Sequence, residues 1–233
     1  VKNRHNEKIL NISPIVRSAD EIPSPLIPNL ISGGGYESEI ILLNAGSEEM
    51  HGSLLLFDED GKKISDYKYQ LAAKESFRQA IVVDSRLSAN YYIQIQNEDS
   101  PIPASAGFVR LADEGLISST SVAGKSLLQS AIIPINTASN IIRHGRHTQV
   151  GVTIANGNPQ GASIRMVLMD IDGNEVARHE QLLPAWMQRT FSPSDLMEQV
   201  HFVGTLRLST DLPVAISARQ VTTNLRGEEI LLE

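Results

Sequence analysis

One stretch of this chain occurs twice. IILLNAGSEEMHGSLLLFDEDG, residues 40–61, returns without a gap as VTIANGNPQGASIRMVLMDIDG, residues 152–173. Asn44 falls on Asn156, Asp58 on Asp170, Asp60 on Asp172 and Gly61 on Gly173, each displaced by 112 (156 − 44). Each copy is an apolar run, a Gly/Asn loop, a second apolar run and an Asp-x-Asp-Gly turn. That order reads as two strands joined by a loop, the second strand entering a tight hairpin. A duplication at this spacing in 233 residues predicts two domains of about 110 residues, inside the usual domain range.

Composition narrows the function classes. A hydrophobic share of 41% supports real cores. The formal charge of −7 lies mostly within residues 25–125, and no basic stripe offers itself to a phosphate backbone, which argues against nucleic acid. With no cysteine, disulfides, thiolate metal sites and cysteine nucleophiles are excluded. No apolar run approaches the roughly 20 residues of a membrane helix. The chain opens on Val1 with neither a signal peptide nor an initiator Met, so it is expected to be a mature product or a piece of something longer.

Strand signals recur along both halves. In residues 25–125 they predict strands over Pro25–Ile31, Ser38–Leu43, Ser53–Phe57, Lys62–Leu71, Phe77–Val83, Tyr91–Gln96 and Ile102–Leu111. In residues 126–233 they predict Ala131–Ile135, Gln149–Ala155, Ile164–Met169, Glu175–Leu183, Met187–Phe191, Gly204–Ser209 and Val214–Val221. About seven short strands per half, with turns at regular spacing, describe an all-β chain of two tandem antiparallel sandwiches. Ser194–Gln199 carries a capping pattern for one helical turn. Tyr91 and Tyr92 alternate on one strand, so one of them is expected in the core. The short joint Gly124–Ser130 predicts domains stacked end to end. The polar hairpin of Val109–Val122 is echoed by Val221–Glu233 and by Val1–Ile12, so residues 1–24 are expected to be a leader holding the last hairpin of a preceding repeat.

Candidate chemistry is thin. Asp58 with Asp60, and Asp170 with Asp172, put paired carboxylates at loop tips, which suits calcium. Asp-Gly is also the standard choice where a hairpin needs positive backbone angles, and the further ligands of a calcium loop are missing, which favours the turn over calcium. His144 and His147 have three-residue spacing but lack a third ligand and lie beside Arg143 and Arg146. Trp186, the single tryptophan, is the one candidate platform for a glycan. No G-x-S-x-G elbow, H-E-x-x-H pair or phosphate loop occurs, and the adjacent acids Glu48-Glu49 and Glu228-Glu229 read as solvated charge. The expectation is a non-enzyme with no cofactor other than, at most, calcium. A Lys–Asn isopeptide crosslink is excluded from the second half, because the last lysine is Lys125. Asn11 heads a glycosylation sequon.

The repeated strand–loop–strand–D-x-D-G segments, LAAKES matched by LPAWMQ, and NEDSPIPASA matched by STDLPVAISA together resemble immunoglobulin-like or fibronectin-III-like repeats of secreted and cell-surface bacterial proteins. The chain departs from the antibody pattern in having no cysteine pair and no core tryptophan, and Tyr92 has only Gly204 opposite it. The resemblance implies an extracellular or cell-surface location, the periplasm included. It also implies a spacer, adhesion or assembly role, with protein partners or further copies engaged through strand edges or repeat ends. The alternative is a glycan- or calcium-binding accessory module of a secreted enzyme.

Overall fold

The computed structural model describes residues 26–83, 87–98, 102–112, 116–124, 127–136, 147–196, 202–223 and 229–232. The expected leader, the sequon at Asn11, and His144 lie outside them, as does the side chain of His147. The chain divides into two compact units, Val1–Leu127 and Leu128–Glu233. All the described regular structure is strand, apart from a single 3-10 turn at Pro193–Asp195.

The first unit holds β1 (Leu26–Ser32), β2 (Tyr36–Leu43), β3 (Met50–Asp58), β4 (Lys63–Leu71), β5 (Ser76–Ile81), β6 (Ala89–Asn97), β7 (Ala104–Ala112) and β8 (Leu116–Ala123). They form two antiparallel sheets, ordered β1-β6-β3-β4 and β5-β2-β7-β8. The sheets face each other: a β-carbon on Gly107 of β7 would stand 2.8 Å from Leu30 and 2.9 Å from Ile27 of β1, closer than contact allows. Pairs β2–β5 and β3–β6 are those of an immunoglobulin sandwich. The outer strands depart from it, with β1 beside β6 and β7 beside β2. Strand β8 completes the hairpin expected at Val109–Val122 and is an eighth strand.

The second unit holds β9 (Leu128–Asn136), β10 (His147–Ala155), β11 (Ala162–Asp170), β12 (Glu175–Leu183), β13 (Gln188–Phe191), β14 (Val203–Thr223) and β15 (Glu229–Leu232). Alternation makes β11 a half-buried strand: Ala162, Ile164, Met166 and Leu168 enter the core, whereas Ser163 and Arg165 are exposed. Pairing follows the first unit strand by strand, with the N-terminal part of β14 in the place of β6 and its C-terminal part in the place of β7. Two separate strands, Gly204–Ser209 and Val214–Val221, were expected, and the structure joins them into one of 21 residues. Its register explains why. Gln94 beside Leu55 corresponds to Arg207 beside Val167, a displacement of 113 (207 − 94), whereas Ala106 beside Ile41 corresponds to Ser217 beside Thr153, a displacement of 111 (217 − 106). The connection is two residues shorter (113 − 111), and the strand passes directly from one sheet to the other.

The turn predicted at Ser194–Gln199 begins one residue earlier, as a 3-10 turn at Pro193–Asp195, because the Asp195 carboxylate accepts the Ser192 N–H at 2.9 Å; Met197–Gln199 lie outside the described residues. Both Tyr91 and Tyr92 are buried, against the expectation of one. Alternation still sends them to opposite faces, but the outer face is covered around Tyr92, where Leu26 and Phe57 are buried too, and is open only farther along at Lys68 and Gln96. On the face away from the sandwich core, Phe57 and Tyr92 stack with centroids 5.1 Å apart and planes 9° from parallel.

Candidate functional site

The polar positions shared by the two copies are where a common function would be written, and the strongest of them is the asparagine that ends β2 and β10. Asn44 and Asn156 are both 0% exposed. The Asn44 amide nitrogen donates to the carbonyls of Glu48 (2.6 Å), Leu71 (3.2 Å) and Ala72 (3.1 Å), and its oxygen accepts the Gly46 N–H at 2.9 Å. Asn156 repeats the set, donating to Gln160 (2.8 Å), Leu183 (3.1 Å) and Pro184 (2.9 Å) and accepting the Asn158 N–H at 3.0 Å. The Asn44 main-chain N–H donates to Glu75 and that of Asn156 to Met187. One side chain thus ties the β2–β3 loop to the β4–β5 turn, two of the connections where the chain crosses between sheets. Only a primary amide has both the donors and the acceptor for this; a carboxylate has acceptors alone. Sequence alignment places these residues in register, but a buried staple cannot be told there from an ordinary loop asparagine.

The stapled turns hold Lys74 and Trp186, again displaced by 112 (186 − 74). Both have left-handed backbones, φ 64° and 62°, and each turn closes with an N–H to C=O bond, Glu75 to Ala72 and Met187 to Pro184. A bulky residue at positive φ invites a functional reading. Here Lys74 answers it: the same turn imposes the same angle on a lysine, whose ammonium donates to the Ala45 carbonyl. Trp186, the glycan candidate, is half-buried on this turn. Its backbone angle belongs to the architecture.

The aspartate pairs sit on three-residue hairpins. The Asp58 carboxylate accepts the Lys62 N–H at 2.8 Å, and Gly61 supplies φ 83°. In the second unit the Asp170 carboxylate accepts the main-chain N–H groups of Asp172 (3.0 Å) and Asn174 (2.8 Å) and the Asn174 side-chain amide (3.0 Å), with Gly173 at φ 85°. The Asn174 side chain, then its backbone N–H, holds the Asp170 carboxyl below its usual range. Asp60 and Asp172 are exposed on the same tips. Among the described residues no three His, Cys, Asp or Glu side chains gather as a metal set.

Two open depressions among the described residues lie away from these candidates. One of about 450 Å³ lies between Asn136, Val150, Val203 and Gln220; the other, of about 670 Å³, lies over Ser53, Lys68, Gln96 and Glu98. Beside the second, the Tyr69 hydroxyl donates to Asn97 at 3.0 Å, and burial, with Glu98 adding to it, pushes its pKa up to about 12. No helix among the described residues is long and apolar enough to cross a membrane.

No protein-family model matches the chain, and no curated protein matches it. Among solved structures it is similar to a Parabacteroides distasonis protein described as secreted, at 11% identity over 94% of this chain and 81% of that one, with a TM-score of 0.23. It is also similar to a glycosyl hydrolase family 2 member from Bacteroides cellulosilyticus, at 11% identity, 88% and 27% coverage and a TM-score of 0.19. A third is Bacteroides uniformis β-glucuronidase 2, at 8% identity, 84% and 24% coverage and a TM-score of 0.18. The chain spans about a quarter of the length of the two enzymes. Likeness at these scores carries no inference about activity.

Proposed function

We propose that this chain is a non-catalytic structural or interaction module of an extracellular or cell-surface protein, part of a repeat array that engages protein partners or further copies of itself through strand edges. One observation carries the reading: four of the polar groups shared by the two copies, Asn44 with Asn156 and Asp58 with Asp170, bond to their own backbone. What duplication has kept is scaffold.

An edge suited to the role is β12, which pairs with β11 on one side and carries exposed Val176 and Leu182. Exposed strand edges accept further strands, and charge on them opposes it. Sedimentation of the full chain over a concentration series tests this directly. Self-association that disappears in Val176→Lys/Leu182→Lys supports the edge. A chain that stays monomeric, binds an array glycan and loses that binding on Trp186→Ala would replace the reading with the accessory-module one. So would a calcium-dependent rise in melting temperature that Asp170→Asn abolishes.

A further inference from the structure

Asn156 is followed by Gly157, and this is the single Asn-Gly step in the chain; the matching step in the first unit is Asn44-Ala45. We infer that Asn156–Gly157 is a latent deamidation site that the native fold keeps closed, so that unfolding of the second unit becomes chemically irreversible while unfolding of the first does not.

The chemistry needs no partner but water. The Gly157 main-chain nitrogen attacks the Asn156 side-chain carbonyl carbon, forming a C–N bond. The Cγ–Nδ2 bond breaks, and ammonia leaves with the proton lost from the Gly157 nitrogen. Water then opens the resulting five-membered imide at either carbonyl, giving aspartate or isoaspartate. Glycine favours the attack because it has no β-carbon to obstruct it and the widest backbone freedom. Ala45 lacks both advantages.

In the native unit this path is shut. The leaving nitrogen is bonded to the carbonyls of Gln160, Leu183 and Pro184, and the oxygen holds both the main-chain N–H (3.0 Å) and the side-chain amide (2.8 Å) of Asn158. At 0% exposure the side chain is also withheld from water. For the attack, Cγ must turn out of these contacts. Unfolding releases them all at once, and the product cannot return. A carboxylate at position 156 has no donor for three carbonyls and would bury a charge against them; isoaspartate also lengthens the main chain between β10 and β11. Such modification of the unfolded chain is a recognised route to irreversible unfolding.

The chain carries its own reporters. All five tyrosines lie between Tyr36 and Tyr92, in the first unit, and the only tryptophan, Trp186, lies on the stapled turn of the second. The full chain is held in urea at mildly alkaline pH, refolded by dilution at successive times, and followed by tryptophan fluorescence, near-ultraviolet tyrosine dichroism and peptide mass mapping. Recovery of the tryptophan signal should fall in proportion to deamidated Asn156, while the tyrosine signal returns; native protein aged alongside should keep Asn156 intact. Gly157→Ala should preserve both signals, and Ala45→Gly should extend the loss to the tyrosines. Isomerisation at Asp60–Gly61 and Asp172–Gly173 changes no mass and is thereby separated. Native chain deamidating at Asn156 as fast as unfolded chain would overturn the inference. So would loss of the tryptophan signal with Asn156 intact, or its full return with Asn156 converted. If Gly157→Ala fails to fold, the wild-type time course alone decides.

Discussion

Leu26 and Ile132 hold the same place in the two units. Leu26 pairs with Gln94, which pairs with Leu55; Ile132 pairs with Arg207, which pairs with Val167. Yet Leu26 is 1% exposed and Ile132 67%. The neighbours differ in kind as well: the ladder in the first unit ends on Asp66, that in the second on Arg178. The first strand differs too. Pro28 matches Pro134, but the first unit then inserts Asn29 as a bulge at φ 62°. Opposite Asp58 stands Tyr91, whereas opposite Asp170 stands Gly204, where the Phe202 ring lies 2.7 Å from the position of a β-carbon. Pairing and staples are held constant, and outer faces, bulges and fillers vary around them. The constant parts close the sandwich, whereas the variable ones set how far each outer face is covered.

The largest expected effect tests the constant part. Asn44→Ala and Asn156→Ala each take a donor from one buried carbonyl, Leu71 or Leu183, and from two part-buried ones, and should cost their own unit about 2–4 kcal/mol. Urea melts read by the tyrosine and tryptophan signals should show the loss confined to the mutated unit; a loss below the range for ordinary surface changes would demote the staple. Next comes the variable part. Leu26→Ala should cost about 3 kcal/mol as a core truncation, and Ile132→Ala within about 0.5 kcal/mol of zero. Equal losses would mean that the outer faces are alike after all.

Alkali should separate the units further. Burial raises Tyr69 to about 12, and burial with a smaller contribution from Asp58 raises Tyr91 and Tyr92. A phenol whose folded pKa exceeds its unfolded value of 10 stabilises the fold fully below pH 10, and loses that contribution as pH climbs toward 12. The first unit should therefore unfold at lower pH than the second, which has no tyrosine. An alkaline titration in which tryptophan fluorescence changes before tyrosinate appears would reverse that order. The smallest effect is local: Lys74→Gly relieves a left-handed backbone and should raise the first unit's stability by at most about 1 kcal/mol, read as a small upward shift of its urea midpoint.

Much of the frame was legible in the residues. Glu175–Leu183 was placed residue for residue, because its flanking turns and run length leave little choice. Asp58, Asp170, Gly61 and Gly173 were read as turn chemistry, since an Asp-x-Asp-Gly hairpin is decided by local angles and hydrogen bonds. Misreadings arose where the deciding contact is distant. Burial of both Tyr91 and Tyr92 depends on cover over two faces, which alternation within one strand does not report. The fused β14 depends on a two-residue shortening that is visible once strands are paired across sheets.

The sequence by itself determined that this protein is a pair of antiparallel β units with a shared strand frame, because strand period, turn residues and the duplication act over a few residues and survive without any fold. Only the tertiary structure decided that Asn44 and Asn156 are staples, that Leu26 is buried where Ile132 is bare, and that the backbone strain of Trp186 is architectural. The staples and the burial of Leu26 turn on atoms 27 or more positions apart along the chain, where burial, rather than local preference, sets what a polar or apolar group costs; Trp186 is settled by the matching turn at Lys74.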